Sequence, residues 1–380
     1  MVYVTVKQSP MYKNMTIEEF LFESITSSAL ISKNISNTRT YRFEELPPRL
    51  EAKVRKRHLI KKLREFNAST ERLRECDRKK LYYSFFIPKK SGGKRRIDAP
   101  NFELMDALRE LKTIFETDFG AVTTYHTSAF AYIKNRGTVD AIKRHQSNES
   151  RWFGKFDLSN FFGNTTIEFT MKQFSMIYPF SEIIKIPEGR AELEKALDLA
   201  FLNGGLPQGT PISPLITNII MLPIDFALSN ALHDFDGKRF VYTRYADDFI
   251  ISCRYDFLFR DVEKLLVDTL SEFGTPFSLN REKTRYGSSS GSNYNLGLIL
   301  NGENEITIGF VRKRRLRVLL ENYAMDVKGG KRWPLEEAQV FSGELSYLRM
   351  VEPETFKRII EFVDQKHNVD IMSEIKADLR

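Results

Sequence analysis

The stretch RYADDFII, residues 244–251, sets two adjacent carboxylates, Asp247 and Asp248, inside a run of β-branched and aromatic residues. Strand interiors disfavour aspartate, and like charges a few ångströms apart repel. Taken alone the pair reads as a polar hairpin turn, because a chain this long and acidic should hold roughly one such pair by chance. Widened to FVYTRYADDFIISCR, the stretch reads as two strands joined at Ala246 to Asp248. A third carboxylate, Asp157, ends the β-like run opening RWFGKFDLSNFF. If the two elements neighbour one another in one sheet, three carboxylates converge. Each close pair would repel by about 1 kcal/mol in water and about 4 kcal/mol at an effective dielectric of 20. A fold tolerates that poorly unless a cation occupies the cluster. All-oxygen ligation with no His or Cys nearby suits Mg²⁺, and two such ions roughly 4 Å apart would clamp the attacking and leaving oxygens of a phosphoryl displacement. Such chemistry needs charge neutralisation and alignment more than a protein nucleophile.

The rest of the chain narrows the class. Its 380 residues suffice for one large multi-lobed domain or two to three small ones, and 42% hydrophobic residues can bury a substantial core. Two cysteines, Cys76 and Cys253, and five histidines argue against a disulfide framework or a zinc site and point to a reducing compartment. No stretch approaches the length of about 18 apolar residues that a membrane span needs, and the N-terminus lacks a signal pattern. The expectation is a soluble, cytoplasmic protein with no membrane partner. Net charge is +8, and between Lys53 and Lys80 there are 12 Lys/Arg against 4 Asp/Glu, so this segment holds the whole excess. In KVRKRHLIKKLREF, Leu59, Leu63 and Phe66 fall at helical spacing with basic residues around them. Arg55, Lys56 and Arg57 then lie on either a polyphosphate-binding face or an ordinary solvated one.

Along the chain, TIEEFLFESITSSALIS reads as a helix capped at Thr16 with Glu19 three residues on. LYYSFFIPKKSGGKRRIDAPN reads as a hairpin around KKSGGK, followed by a helix through FELMDALRELKTIFETDF. LPQGTPISPLITNIIMLPIDFALSNAL is a Gly/Pro-rich loop leading into one long apolar helix. DVEKLLVDTLSEFG is a helix stopped by Gly274, and NLGLILNGENEITIG is a hairpin with Asn301-Gly302 within its turn. From Val311 onward the pattern is mostly helical. Helices and strands without regular alternation predict an α+β fold. Two stretches add what nucleotide transfer needs. Lys90, Arg95 and their basic neighbours surround a flexible Gly-Gly that could fold over a triphosphate. Gln208 and Gly209 pair a side-chain amide with a backbone able to approach a ligand closely.

Taken in order, KKSGGKRRIDAP, FDLSNFF, LPQGTPISPLITN, RYADDF, LNREKT and NLGLILN resemble the motif series of reverse transcriptases, most nearly the bacterial retron and defence-associated types. The resemblance spans roughly residues 80 to 350 and includes a thumb-like FSGELSYLRMVEPETFKRIIEFV. It implies a right-hand polymerase fold: a basic helical extension over 1–80, fingers over 81–156, a palm with an antiparallel sheet over 157–310, and a helical thumb over 311–380. It implies that Asp157, Asp247 and Asp248 are the catalytic acids and, with the Leu158 carbonyl, the ligands of two Mg²⁺ ions, a role Mn²⁺ could also fill. It further implies that Lys90 and Arg95 hold the triphosphate, that Gln208 and Gly209 line the nucleotide and template pocket, and that Lys283 protonates the pyrophosphate leaving group. Gly297 would lie in the primer grip, and Arg312, Arg314 and Arg315 on the thumb's first nucleic-acid face.

By the same resemblance Phe162, five residues after Asp157, would be an aromatic gate that excludes a ribose 2′-OH, so dNTPs are the expected substrates. The 70 or so residues after 310 leave room for a thumb and little else. The Asn-Ala-x-x-His element of retron enzymes has only a variant counterpart in VDAIKRHQ, with Asp140 and an extra residue before His145. The expected function is RNA-directed DNA synthesis on a cognate noncoding RNA, in antiphage defence, with DNA as product and an effector protein or a second copy as further partner. A group II-intron-like enzyme, an RNA-binding protein with an idle palm, and a template-independent or protein-primed DNA polymerase stay open.

Overall fold

The computed structural model of the protein describes residues 48–88, 92–233, 235–290 and 293–379. Lys90 and the helix expected at Thr16 lie outside the described residues. In chain order come α1 (Pro48–Ser69), β1 (Tyr82–Pro88), β2 (Lys94–Pro100), α2 (Phe102–Gly120), α3 (Thr138–Ser147), β3 (Trp152–Asp157), α4 (Ile167–Phe174), α5 (Pro187–Asp198), α6 (Ser213–Ile220) and α7 (Leu222–His233). They are followed by β4 (Phe240–Tyr245), β5 (Asp248–Cys253), α8 (Phe259–Glu272), β6 (Arg285–Ser288), β7 (Tyr294–Asn295), β8 (Leu298–Leu300), β9 (Ile306–Thr307), α9 (Phe310–Lys328), α10 (Leu335–Val351), α11 (Pro353–His367) and α12 (Ile371–Asp378). The strands form three sheets, β1-β2, β4-β5-β3-β6 and β7-β8-β9. The α+β class expected from the pattern is the class observed.

Two compact units share the chain, each assembled from three stretches. The first takes the described part of Met1–Tyr132, with Asp157–Ala231 and Glu263–Asn280. Here α1 buries Leu59, Leu63 and Phe66 completely, as their spacing predicts. Its polar side is tied down by Lys56 to Glu182 and Lys62 to Asp118, both at 3.0 Å, and by Arg64 to Glu188. The basic helix is therefore partly a structural strut, and Arg57, exposed on it, is not among these tethers. Stacked and edge-on rings of Phe115, Phe174 and Phe180, with centroids 4.3 to 5.9 Å apart, fill the interior beside it.

The second unit takes Ile133–Phe156, Leu232–Val262 and Arg281–Arg380. One apolar cluster joins its sheets to its C-terminal helices: Phe153 of β3, Ile250 of β5, Leu298 and Leu300 of β8, Leu316 and Leu320 of α9, Leu345 of α10 and Ile359 of α11. The β7–β8 and β8–β9 pairs give the expected hairpin over 301–305, closed by Asn301 N–H on the Glu305 carbonyl at 2.9 Å.

One expectation fails. The single long helix over 213–233 is two helices, α6 and α7, bent by 41° at Met221. Pro223 has no N–H to give the Ile219 carbonyl, so the ladder cannot run through. Among the described residues no single helix is long and apolar enough to cross a membrane.

Candidate active site

In the β4–β5 hairpin Tyr245 faces Asp248, which leaves Ala246 and Asp247 as a two-residue loop. Ala246 sits at φ 57, the left-handed region that such tight turns require and that an L-residue enters at a cost of roughly 1–2 kcal/mol. Arg244, wholly buried, donates from Nη1 to the Ala246 carbonyl at 3.3 Å and braces the turn. The turn reading of the sequence is therefore right about geometry, and Asp248 is the first residue of β5.

The neighbouring strand is β3. Arg151 N–H, just before β3, donates to the carbonyl of Cys253, the last residue of β5, at 2.9 Å. Adjacent strands meeting in that way must run antiparallel, so the end of β3 and the start of β5 point to the same edge of the sheet. Asp157 ends β3 and is 5% exposed. Lys155 shares its strand face, since side chains alternate with period two. Burial pushes the Lys155 ammonium down to about 8, Arg285 directly opposite on β6 pushes the same way, and the Asp248 carboxylate opposes both. A lysine in electrostatic reach of Asp248 was absent from the sequence reading, although its two-residue spacing from Asp157 was there to be read.

Beyond Asp157 the chain pairs with 278–280. Ser159 N–H donates to the Ser278 carbonyl at 2.8 Å and Asn280 N–H to the Asp157 carbonyl at 2.7 Å, flanking a Leu158–Leu279 bridge. In that non-hydrogen-bonded pairing the Leu158 carbonyl points away from Leu279. Among the described residues no three His, Cys, Asp or Glu side chains form a ready-made metal-holding group. The donor chemistry of Asp157, Asp247, Asp248 and a backbone carbonyl nonetheless fits a hard divalent cation.

Phe162 lies in a one-turn helix, Phe161–Asn164, entered through Asn160 at φ 46. Its ring is half-buried and edge-on to Tyr132 at 6.5 Å. Its carbonyl accepts from Leu206 N–H at 2.9 Å. Leu206 follows a tight Leu202–Gly205 hairpin whose loop, Asn203-Gly204, has both residues at positive φ, the type I′ signature. A side chain on Gly205 would press on the Gly163 backbone, lying 2.7 Å from its carbonyl carbon. Two glycines thus set the position of the Phe162 backbone.

The Gln208-Gly209 segment docks on β2. Asp98 N–H donates to the Gln208 carbonyl at 2.8 Å, and Gly209, at φ +124, leaves no space for a Cβ against Ile97 Cγ2 (2.9 Å) and the Asp98 carbonyl (3.0 Å). Ile97 shares its strand face with Arg95, so Arg95 lies on the face of the hairpin that meets this loop. Arg96, on the other face, is held by Asp98 at 2.8 Å. Lys283 is exposed in the turn before β6. Gly297 at φ 81 and Leu296 at φ 53 form the β7–β8 turn, a bulky residue in a region that usually rejects one. Arg312 is committed internally, to Glu344 at 2.9 Å and over the Tyr347 ring at 4.4 Å, whereas Arg314 and Arg315 are exposed. His145 is turned inward: fully buried, it bridges Ser252 of β5 (2.6 Å) and Thr243 of β4 (2.7 Å). Asp140 accepts from Gly137 N–H at 2.9 Å, at the start of α3.

Residues 87–305, well over half of the chain, match the family model described as reverse transcriptase (RNA-dependent DNA polymerase). The chain belongs to that family: it is an RNA-directed DNA polymerase, a nucleotidyltransferase with the right-hand polymerase fold. Within the family it is of the retron type. It is 26% identical over 300 residues to the Retron Ec73 reverse transcriptase of Escherichia coli, covering 74% of this chain and 89% of that one. To the Retron Ec83 reverse transcriptase of Escherichia coli it is 27% identical over 304 residues, covering 78% and 89%. Among solved structures, apo telomerase from Candida tropicalis aligns with 14% identity and a TM-score of 0.44, over 78% of this chain and 61% of that one.

Proposed function

We propose that this enzyme copies a cognate noncoding RNA into DNA by two-metal nucleotidyl transfer and that it serves antiphage defence in the cytoplasm. The observation that supports the mechanism is the sheet topology, in which the end of β3 and the start of β5 lie toward one edge. Asp157, Asp247, Asp248 and the Leu158 carbonyl would hold Mg²⁺. The ions would supply charge neutralisation for the attacking and leaving oxygens. Arg95, with Lys90, takes the triphosphate, bidentately where the guanidinium meets two oxygens. Gln208 and Gly209 position the templating base and the incoming sugar. The Phe162 ring fills the space a 2′-OH would need and offers that hydroxyl no partner, so deoxynucleotides are favoured. The primer hydroxyl gives its proton to solvent and its oxygen bonds to the α-phosphorus as the bond to pyrophosphate breaks, and Lys283 protonates the departing pyrophosphate. The retron-type kinship supports the noncoding RNA template and the defence role.

The test is the nucleic acid that accompanies the protein purified from cells carrying its native flanking DNA, beside an Asp247→Asn/Asp248→Asn version. A discrete RNA in both, with complementary DNA only in the unmutated sample, is expected. DNA matching no RNA would replace the proposal by untemplated synthesis. DNA persisting in the double variant would remove the two carboxylates from the chemistry.

A further inference from the structure

Within the first unit, the segment that ends at Tyr132 is fixed from behind. His126 sits edge-on to Phe226 of α7 with ring centroids 4.6 Å apart, and its Nδ1 accepts from Ser128 N–H at 3.2 Å. Ala129, Phe130 and Ala131 follow, all buried. Asn218 of α6, itself 2% exposed, donates from Nδ2 to the Ala131 carbonyl at 2.7 Å. The peptide leading into Tyr132 is therefore held by a buried amide. Tyr132 itself sits at φ 59, in the left-handed region, and is the one aromatic side chain at positive φ among the described residues. Glycine fills such positions at no steric cost, whereas the Cβ of an L-residue crowds the following carbonyl oxygen. Backbone strain of this kind persists only where the surroundings over-determine it, and it gathers at working sites.

Core packing does not account for the strain, because the Tyr132 side chain stays 58% exposed. What the ring meets is Phe162. The two centroids lie 6.5 Å apart with the planes at 77°, inside the range of about 4.5–7 Å for edge-to-face pairs. Phe162 has a second ring contact in Phe161, at 5.7 Å. Phe161 is its chain neighbour, 2% exposed and packed on Phe277 at 4.9 Å. The half-buried Phe162 ring thus stands between a ring anchored in the core and an exposed one aimed by its own backbone. A gate works only while it resists displacement, and an aromatic side chain can leave its place by turning to another staggered χ1 well.

We propose that Tyr132 is a positioning residue for sugar discrimination: its ring holds Phe162 in the orientation that meets a ribose 2′-OH, and the left-handed backbone at Tyr132 places it to do so. The inference rests on the reading of Phe162 as the sugar gate.

Single-nucleotide incorporation by the full-length enzyme on a primed RNA template tests it, with kcat/KM read for dCTP and for CTP. Tyr132→Ala should lower the dCTP/CTP ratio by about twofold to tenfold, the range an edge-to-face pair contributes, and through a rise in the CTP value. Tyr132→Phe keeps the ring and should restore the parent ratio. Tyr132→Ala/Phe162→Ala should be no less selective than Phe162→Ala alone, because the tyrosine acts through the phenylalanine. Tyr132→Gly separates gating from folding. It removes the same ring but also the strain, so it should be as unselective as Tyr132→Ala while unfolding at a higher urea concentration. A parent-like ratio in Tyr132→Ala beside a lowered one in Phe162→Ala would overturn this inference alone. A parent-like ratio in Phe162→Ala would remove the gate, and this inference with it. Additive losses in the double variant, a ratio lowered only through lost dCTP incorporation, or selectivity that recovers with stability from alanine to glycine would each make Tyr132 merely structural and overturn the assignment.

Discussion

Replacing Gly205 by alanine should damage both stability and sugar discrimination, through one contact. The added Cβ would lie 2.7 Å from the Gly163 carbonyl carbon and 2.8 Å from its Cα, against an ordinary contact of about 3.4 Å or more, and closer still to the carbonyl oxygen. Gly205 cannot step aside, because its N–H and carbonyl are both paired with Leu202 across the Asn203-Gly204 turn. The one-turn helix Phe161–Asn164 must therefore move by a large fraction of an ångström. Overpacking of this kind costs about 1–3 kcal/mol, and weakening the buried bond from Leu206 N–H to the Phe162 carbonyl adds about 1–2 kcal/mol. A sum of roughly 2–5 kcal/mol corresponds to a fall in Tm of roughly 2–6 °C for a chain of 380 residues. Because the displaced segment carries Phe162, single-nucleotide incorporation should also show a lower dNTP/rNTP ratio. Gly204→Ala is the control: it introduces strain at φ +83 but meets nothing within 4 Å, so Tm falls slightly and selectivity holds. Equal effects of the two substitutions, or a Gly205→Ala enzyme with unchanged selectivity, would refute the reasoning.

Phe162→Ala removes the ring itself and should raise rNTP incorporation by more than Gly205→Ala does; unchanged selectivity in steady-state incorporation would take the gate away from this residue. His145 should give the fold an acid-sensitive limb. Burial, helped by Arg144, pushes its imidazole down to about 3, so the unfolded chain takes up a proton near pH 6.5 that the folded chain refuses. Its contribution is complete above pH 6.5 and is lost as pH falls toward 3, at about 1.4 kcal/mol per pH unit. Urea unfolding at pH 6.5 and 5 should show roughly 2 kcal/mol more loss for the parent than for His145→Gln, and parallel curves would mean that the histidine is not buried neutral. Glu352→Gln should act in the same direction over a lower window. Burial raises this carboxyl, but bonds from Lys313 (2.8 Å), Thr307 (2.7 Å) and Ile308 N–H (2.8 Å) outweigh it and hold it below the ordinary glutamate value. That stability is present above about pH 4.5 and disappears on acidification through the folded value, so a variant as stable as the parent at pH 7 would sink the assignment.

What the sequence disclosed and what it concealed divide along physical lines. The strands that carry Asp157 and Asp248, and the turn that carries Asp247, were legible because strand patterns are local, with period two. The apolar stripe of α1 was legible for the same reason at helical spacing. Ionic commitments were not. Lys56, Lys62 and Arg64 look like a polyphosphate face until Glu182, Asp118 and Glu188, more than 50 residues away in each case, close on them. Arg312 looks equivalent to Arg314 until Glu344 and Tyr347 claim it. Proximity of that sort is a property of packing, and no window of sequence contains it. Local signals were also missed for lack of context: Asn203-Gly204 is a strong hairpin dipeptide, yet its value appears only when Gly205 meets Gly163.

His145 shows the same division within one residue. In sequence it is known only as the histidine of VDAIKRHQ, a variant of the retron element, and the structure sets it on α3. Its ring bridges Thr243 and Ser252, one on each strand of the hairpin that carries Asp247 and Asp248. A substitution here therefore reaches that hairpin through its two strands before it reaches any RNA. The two routes separate in the laboratory, because loosening the hairpin lowers incorporation on any primer and template, whereas loss of an RNA contact spares a generic one.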